Sequence, residues 1–226
     1  MSEKKQETSV DRYHTIRERI LLSAKRAGRD PTSVKLIAVT KTFERSDIHP
    51  ILTIGHRSFG ENRVQEAKLK WPFFKDNYQN LDLHLIGPLQ SNKVKEAVAL
   101  FDNIHSIDRP KIAEAVALEL SKQERKVNLF IQVNTGEEMQ KSGVAPADVE
   151  AFIEFCRANL KLNIFGLMCI PPYNEDPTKH FKLLSNLACE NSISHLSMGM
   201  SNDFEIAIEN GATHIRVGSA IFGTRE

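Results

Sequence analysis

The apolar and polar positions along the chain alternate between helical periodicity and short, nearly continuous apolar runs. Residues 9–28 carry apolar side chains at three- and four-residue steps and end in Gly28, which predicts a helix. The next run, VKLIAVTK, is mostly apolar and includes β-branched residues. Such a run predicts a strand that is buried on both faces, as in a parallel sheet, and it ends at Lys41.

Seven more short strands are predicted after Lys41, and a helical pattern follows each of them, although residues 219–222 allow only one short turn. In chain order these strands are RSFGEN, DLHLIG, NIHSI, KVNLFIQV, LNIFGLM, SHLSMG and THIRVG. Ser91 is expected to cap the fourth helix, and Asp176 with Pro177 is expected to open the seventh.

Eight strand–helix units of this length predict an α/β fold, a single TIM (β/α)8 barrel. A doubly wound open sheet is the alternative, because eight parallel strands can also lie flat. The pattern contains no linker, low-complexity segment or second domain. We therefore expect one domain across residues 1–226, with an N-terminal helix at about residues 9–28.

Composition and charge exclude several classes of function. The 226 residues include 30 Lys and Arg against 29 Asp and Glu, a net charge of +1, so no overall field attracts nucleic acid or an anionic membrane. No apolar run reaches the length of a membrane span, and the polar N-terminus lacks a signal region. The three cysteines show no metal-binding spacing. We expect a cytoplasmic protein without a metal site.

Lys41 stands at the carboxyl end of the first strand, where barrels and open sheets collect their functional groups. A lysine there either extends its amine to solvent at the rim or is enclosed by loops. An enclosed amine loses its proton more readily and can attack a carbonyl carbon to form a Schiff base. The strand by itself favours the rim position, and the later segments favour the Schiff-base role.

Small and hydroxyl residues follow the last two predicted strands, in the segments SMGMSND and RVGSA. Small residues let backbone N–H groups approach an anion, and a helix N-terminus adds a favourable dipole. The loops after strands seven and eight are also the usual phosphate site of a TIM barrel. The alternative is that Ser201, Asn202 and Ser219 only cap helices. Because two adjacent strand ends carry such residues, the sequence favours phosphate binding.

Arg216 lies on the eighth strand, where alternation places it on the same face as His214 and opposite Ile215 and Val217. If the apolar pair faces the surrounding helices, Arg216 points into the barrel. An inward arginine needs an acceptor there, and both a ligand and a protein carboxylate would satisfy it.

Weaker candidates lie at or just after other strand ends: Asn62, His84, Gln90, Asn92 and Lys93. Each residue of this kind is more often a cap, a turn residue or a solvated side chain. Met168, at the end of the sixth strand, is more typical of a core residue, and nothing near Cys169 indicates a depressed thiol pKa.

Six segments of the chain carry a family resemblance: AVTKTF at 38–43, FGENRVQEA at 59–67, HLIGPLQSNK at 84–93, QVN at 132–134, FGLM at 165–168 and LSMGMSNDFEIAIENGATHIRVGSAIFG at 196–223. Together they resemble the pyridoxal phosphate homeostasis proteins, a family related to the barrel domain of alanine racemase and of ornithine decarboxylase-like enzymes. The resemblance runs from about residue 10 to the end. It implies a PLP-binding TIM barrel of the alanine racemase-like type.

The resemblance implies that Lys41 carries pyridoxal 5′-phosphate (PLP), a form of vitamin B6, as an internal aldimine. It also implies that Ser201, Gly218 and Ser219 bind the phosphate and that Arg216 lies near the pyridine nitrogen. Further positions expected around the ring are Asn62, His84, Met168 and Ser197.

Two positions depart from the usual family pattern. Cys169 stands where small or hydroxyl residues are commoner, and Arg63 stands where tyrosine is frequent. Neither change touches the aldimine lysine or the phosphate motif, so the implied cofactor is unaffected.

The implied function is intracellular PLP homeostasis: binding and buffering of PLP, with delivery to PLP-requiring apoenzymes. The alternatives are a weakly active racemase-type enzyme and, from another class, a lysine Schiff-base aldolase that binds a phosphosugar. We assign no catalytic residue, because a racemase needs acid–base groups on both faces of the substrate carbon and only Lys41 is evident. Racemases of this barrel type add a tyrosine from a second domain, for which we expect no room before Glu226.

Of the three tyrosines, only Tyr173 is expected near the barrel mouth. We expect a monomer whose partner is the small molecule PLP, with no nucleic-acid or membrane partner.

Overall fold

The structure, a computed structural model, describes residues 7–223, whose eight strands form one closed parallel barrel. The strands are β1 (Lys35–Val39), β2 (Ser58–Glu61), β3 (Asp82–Leu85), β4 (Asn103–Ile107), β5 (Asn128–Val133), β6 (Ile164–Cys169), β7 (His195–Ser197) and β8 (His214–Val217). Each strand pairs with the next in the chain, and β8 pairs with β1 to close the barrel. This closing pair sets Lys35 opposite His214 and Ile37 opposite Arg216.

Helices alternate with the strands and surround the barrel. They are α1 (Ser9–Arg26), α2 (Arg45–Thr53), α3 (Val64–Asn77), α4 (Val94–Leu100), α5 (Pro110–Gln123), α6 (Val149–Glu154), α7 (Pro177–Glu190), α8 (Phe204–Glu209) and α9 (Ser219–Phe222). Three-residue 3-10 turns precede β1, α4 and α6, and α6 continues as a π-helical turn at Phe155–Asn159. Between residues 7 and 223, no helix has both the length and the apolar character that crossing a membrane requires.

The predicted TIM barrel is confirmed, and the pairing of β8 with β1 excludes the open-sheet alternative. All eight predicted strands are present, and each begins and ends close to the predicted residues. The N-terminal helix ends at Arg26, with Gly28 just beyond it at a φ of 65°, a conformation that glycine adopts readily. Residues 1–6 and 224–226 of the predicted domain lie outside the described residues.

The main apolar core lies between the barrel and its helices. Leu36 and Ala38 of β1 belong to the same buried cluster as Ile48 of α2 and Trp71 of α3. Burying a large apolar side chain contributes about 1.5–3 kcal/mol, so the barrel is stabilised mainly from outside. Several polar side chains are buried as well, and some of them, such as Arg216 and Ser197, lie inside the barrel next to the candidate site.

Two predicted helix starts had different outcomes. The Asp176 carboxylate accepts a hydrogen bond from the Thr178 N–H at 2.9 Å, which confirms the predicted start of α7. The predicted cap at Ser91 was wrong, because Ser91 begins a 3-10 turn and Lys93 precedes α4 without a side-chain cap. The turn moves the first helical N–H groups of α4 beyond the reach of the Ser91 hydroxyl.

The N-terminal helix α1 packs against α8 and α9, the helices of the last two strand–helix units. Arg12 Nε donates to the carbonyl oxygen of Ile221 at 2.7 Å, and Arg19 pairs with Glu205 at 2.9 Å. The Ser23 hydroxyl donates to the Glu205 carbonyl oxygen at 3.2 Å. These contacts join the beginning and the end of the described chain.

His56 links α1 to the barrel as a neutral imidazole. Its Nε2 lies 2.7 Å from the Ser58 carbonyl oxygen, and its Nδ1 lies 3.2 Å from the Tyr13 hydroxyl. Since a carbonyl only accepts, Nε2 carries the proton and Nδ1 accepts from Tyr13. Burial is the main cause that lowers the pKa of His56 from 6.5 to about 4.

We expect His56 to make the free energy of unfolding fall by about 2 kcal/mol between pH 7 and pH 4.5. The unfolded chain binds this proton more tightly, so the stabilisation is complete above pH 6.5 and is lost as the pH falls toward 4. Urea unfolding at several pH values measures the effect. His56→Gln does not titrate and should show a correspondingly shallower dependence, whereas equal dependence in both proteins would contradict the assignment.

Candidate functional site

The carboxyl ends of the strands enclose a cavity of about 850 Å³, within the size range of small-molecule sites. Six of the nine predicted site residues line it: Lys41, Asn62, Ser201, Arg216, Gly218 and Ser219. They come from the ends of β1, β2, β7 and β8, which barrel closure brings together. Lys41 is partly buried and lines the cavity, whereas the enclosed position of its amine stays a prediction.

Two serine hydroxyls form one corner of the cavity. The Ser219 hydroxyl donates to Ser201 Oγ at 3.2 Å, and the Ala220 N–H approaches the same oxygen at 3.4 Å. Gly218 lies against Val39, where an added Cβ would approach the Val39 carbonyl oxygen at 3.2 Å. The helices that follow, α8 and α9, have only six and four residues, so a helix dipole contributes little here. The anion-binding capacity of this corner depends on its hydroxyl and backbone N–H groups.

Arg216 points into the barrel, as the strand alternation predicted, and also lines the cavity. Its Nη1 donates to Ser197 Oγ at 2.7 Å and its Nη2 to the Cys169 carbonyl oxygen at 2.8 Å. Both acceptors are neutral groups, so the protein carboxylate considered as a partner is absent from these two hydrogen bonds. Because a guanidinium has five N–H donors, others remain for a ligand.

The other three predicted residues, His84, Met168 and Ser197, are fully buried and do not line the cavity. Ser197 reaches the site through its hydrogen bond with Arg216. His84 lies two hydrogen bonds beyond Ser197, joined through His105 rather than to a lining residue. The placement of all three residues around a bound ring stays a prediction, whereas the hydrogen bonds that link Ser197 and His84 to Arg216 are observed.

A cluster of polar side chains outside the barrel holds the backbone on both sides of Lys41. Lys70 Nζ donates to the Thr40 carbonyl oxygen at 2.8 Å, and the Thr40 hydroxyl donates to Glu61 Oε1 at 2.7 Å. Glu66 accepts a short hydrogen bond from the Thr42 N–H. Thr42 has a φ of 63°, a conformation that costs energy for a β-branched residue and needs such support. The cluster thus fixes the chain direction at Lys41.

Glu61 is the centre of that cluster. Its Oε1 accepts from Lys70 Nζ at 2.9 Å and from Trp71 Nε1 at 3.0 Å, in addition to Thr40. Its Oε2 has no hydrogen-bond partner among the described residues. Burial raises the pKa of the Glu61 carboxyl, and the positive charge of Lys70 opposes that rise. The ion pair and the position of Lys41 are therefore coupled.

The remaining residues proposed from the sequence differ in whether they line the cavity. Gln90, Asn92 and Lys93 do not line the cavity, whereas Tyr173 does, as expected. Burial raises the pKa of the Cys169 thiol to about 12, which makes it an unreactive core group. No group of three or more potential metal ligands occurs between residues 7 and 223.

Three residues that support the site are not among the candidates predicted from the sequence: His105, Glu61 and Lys70. A histidine inside the buried strand NIHSI was one available signal, as were His84 and His214 on two other strands. The i, i+4 spacing of Glu66 and Lys70 was another, although such pairs are usually solvated. Neither signal identifies a partner on a different strand.

The chain matches the family described as "Alanine racemase, N-terminal domain" over residues 13–226. PipY of Synechococcus elongatus PCC7942, solved without PLP, has a TM-score of 0.81 at 38% identity, covering 92% of this chain and 100% of that one. The structure of PipY with PLP bound has a TM-score of 0.78 at 36% identity, with the same coverage. Fold and sequence thus place the protein in the class of alanine racemase-type barrels.

Relatives that match over nearly their full length identify the family within this class. The pyridoxal phosphate homeostasis protein of Aquifex aeolicus is 38% identical over 227 residues, covering 96% of this chain and 99% of the relative. That of Pseudomonas aeruginosa is 39% identical over 224 residues, covering 97% of this chain and 96% of the relative. The chain belongs to the pyridoxal phosphate homeostasis protein family.

Lys70→Met should lower the free energy of unfolding by about 3 kcal/mol, because it leaves the Glu61 carboxylate buried without its cation. Urea unfolding monitored by circular dichroism measures this loss. Lys68→Met, on the same helix, is the matched control: Lys68 pairs with Glu96 at the surface, and its loss should cost below about 1 kcal/mol. Equal effects of the two substitutions would contradict the role given to Lys70.

Proposed function

We propose that the protein binds PLP in the cavity at the carboxyl ends of the strands, that Lys41 holds the PLP covalently, and that the protein serves in intracellular PLP homeostasis. One observation carries the proposal: a partly buried lysine, a pair of serine hydroxyls and an inward arginine line the same cavity. These groups match the three functional parts of PLP, which are an aldehyde, a phosphate and a pyridine nitrogen. The names of the relatives and the PLP-bound form of PipY support the same ligand.

The covalent step needs only the amine of Lys41. With PLP bound, this amine would hold the aldehyde carbon through a C=N bond, with release of one water and no need for an oxidant or reductant. The cluster of Glu61, Glu66 and Lys70 supports this role, because it restrains the backbone at Thr40 and Thr42 on either side of the lysine.

The phosphate would lie at the corner formed by Ser201, Gly218 and Ser219, and the pyridine nitrogen would lie beside Arg216. The hydroxyl pair supports the first assignment, since hydrogen bonds to a charged group are stronger than those between neutral groups. A donor-only guanidinium supports the second, because it favours an unprotonated nitrogen that accepts a hydrogen bond. A ring nitrogen in that state is a weak electron sink, which suits storage of PLP better than turnover of amino acids.

Buffering and delivery follow from the same bond. Water hydrolyses a C=N bond, so a protein that holds PLP in this way keeps the reactive aldehyde from other amines and returns it as the free concentration falls. We propose PLP-requiring apoenzymes as the recipients. A purified protein with visible absorbance would also distinguish this function from a phosphosugar aldolase, whose Schiff base is colourless.

Borohydride reduction of the PLP-loaded protein should fix a pyridoxyl group on Lys41, because this lysine lines the cavity and its flanking backbone is held in place. Peptide mapping by mass spectrometry identifies the modified residue. Lys141→Ala is the matched control, since Lys141 lines the same cavity and its removal should leave the adduct unchanged. An adduct that persists in Lys41→Ala and disappears in Lys141→Ala would overturn the assignment.

The double variant Ser201→Ala, Ser219→Ala should bind PLP at least about tenfold more weakly, because each hydroxyl contributes a hydrogen bond to a charged group. Binding of phosphate-free pyridoxal should change little. Absorbance titrations with both ligands measure the difference, and Ser142→Ala, at the mouth but away from this corner, provides the control. Equal weakening for PLP and pyridoxal would place the phosphate elsewhere.

A further inference from the structure

A line of four buried side chains crosses the barrel interior from the cavity. Arg216 Nη1 lies 2.7 Å from Ser197 Oγ, and Ser197 Oγ lies 2.8 Å from His105 Nδ1. His105 Nε2 then lies 3.0 Å from His84 Nδ1. None of the four residues is more than 4% exposed. They belong to β8, β7, β4 and β3, so the line connects strands that are distant in the chain.

The line ends at the opposite face of the barrel. His84 Nε2 lies 2.9 Å from Ser58 Oγ and 3.2 Å from Asp82 Oδ2. Asp82 begins β3 and pairs at 2.7 Å with Lys35, which begins β1. Both residues therefore mark the amino-terminal ends of the strands. The hydrogen-bonded line reaches from the cavity to the far side of the barrel.

The hydrogen bonds of the line have one direction, which begins at Arg216. A guanidinium only donates, so Ser197 Oγ accepts from Arg216 and its own proton is available to His105 Nδ1. His105 must then carry its proton on Nε2 and donate it to His84 Nδ1. His84 in turn carries its proton on Nε2, facing Asp82 and Ser58. Ser197, His105 and His84 thus each donate once and accept once along the line.

The Asp82 end leads to the same direction independently. Burial opposes ionisation of Asp82, but the hydrogen bonds from His84 and Lys35 and the positive charge of Lys35 outweigh burial and hold the carboxyl pKa well below its usual range. An ionised carboxylate only accepts, so His84 must direct its Nε2–H toward it. If both imidazoles are neutral, each has one N–H, so the acceptor-only carboxylate determines the proton positions of His84, then His105 and then Ser197.

The surroundings keep both imidazoles neutral. His105 stacks on Phe130 with the ring centroids 4.1 Å apart, and its other ring neighbours are His84 and His214. Burial is the main cause that lowers the pKa of His105 well below 6.5, and the positive charges of Arg216 and Lys35 add to it. Burial likewise lowers the pKa of His84, although Asp82 opposes that effect. Neutral imidazoles are the form that the hydrogen-bond directions require.

We propose that His84 and His105 are positioning residues for the ligand of Arg216. By taking the Ser197 proton, they keep Ser197 Oγ as an acceptor, and the guanidinium is thereby held in one orientation toward the cavity. This inference rests on the proposed function in one respect: the group that Arg216 meets there is the pyridine nitrogen of PLP. The proton arrangement itself needs no ligand.

The first test uses the ligand-free protein labelled with ¹⁵N at histidine. Two-bond ¹⁵N–¹H correlation spectra at pH 7 should show His84 and His105 as neutral Nε2–H tautomers, with His84→Gln and His105→Phe used to assign the signals. A charged imidazolium or an Nδ1–H tautomer at either residue would overturn the inference. Because no PLP is present, this result is independent of the proposed function.

The second test compares PLP with its deaza analogue, in which a C–H group replaces the pyridine nitrogen. His105→Phe keeps an aromatic ring against Phe130 but removes the acceptor of the Ser197 proton. We expect its preference for PLP over the analogue to fall about tenfold relative to the unmodified protein, as the loss of a well-oriented hydrogen bond to a charged donor implies. A merely structural defect would weaken both ligands equally.

His214→Phe is the matched control. His214 is also buried in the barrel and contacts the His105 ring, but its Nδ1 bonds to Thr213 at 2.8 Å, outside the line. It should retain the preference of the unmodified protein. An unchanged preference in His105→Phe, or an equal loss in His214→Phe, would overturn the inference. If the unmodified protein binds PLP without preferring it to the analogue, Arg216 does not meet the pyridine nitrogen, and the inference fails while PLP binding stands.

Discussion

Arg216 places a permanent positive charge inside a closed barrel, and the polar groups around it depend on that charge. Removing a cation from water is costly unless hydrogen bonds replace the lost hydration. The Ser197 hydroxyl and the Cys169 carbonyl oxygen supply two of these bonds. A hydroxyl that accepts from an arginine must pass its own proton onward, so satisfying one charge requires a second residue and then a third. Several buried polar groups inside the barrel are consequences of this single side chain.

The closing strand pair makes the candidate site. Pairing of β8 with β1 brings Arg216 and the loops after β7 and β8 beside the end of β1, where Lys41 stands. An open sheet with the same strands would leave the first and last strands at different places. The barrel closes without a free edge, and this closure brings Lys41 to the same cavity as the hydroxyls of Ser201 and Ser219.

Two polar clusters restrain the site from opposite sides of the strand layer. Glu61 and Lys70, outside the barrel, hold the backbone around Lys41, whereas His84 and His105, inside it, hold the acceptor of Arg216. Buried ion pairs and imidazoles contribute less to stability than apolar side chains of similar volume. Their position next to the cavity is best explained by the need for a fixed geometry at the functional groups.

The sequence by itself determined the eight strand–helix units, the strand ends and the six predicted residues that line the cavity, because apolar periodicity and turn chemistry are local properties. It left an open sheet as an alternative to the barrel, and only the pairing of β8 with β1 decided between them. It also determined the inward direction of Arg216, since side chains alternate along a strand. It did not determine the partners of Arg216, the role of Lys70 or the place of His105. Ser197 and His105 are 92 residues apart, and only the closed barrel decides that they meet. A hydrogen bond between distant strands depends on register and packing, which no local pattern of residues encodes.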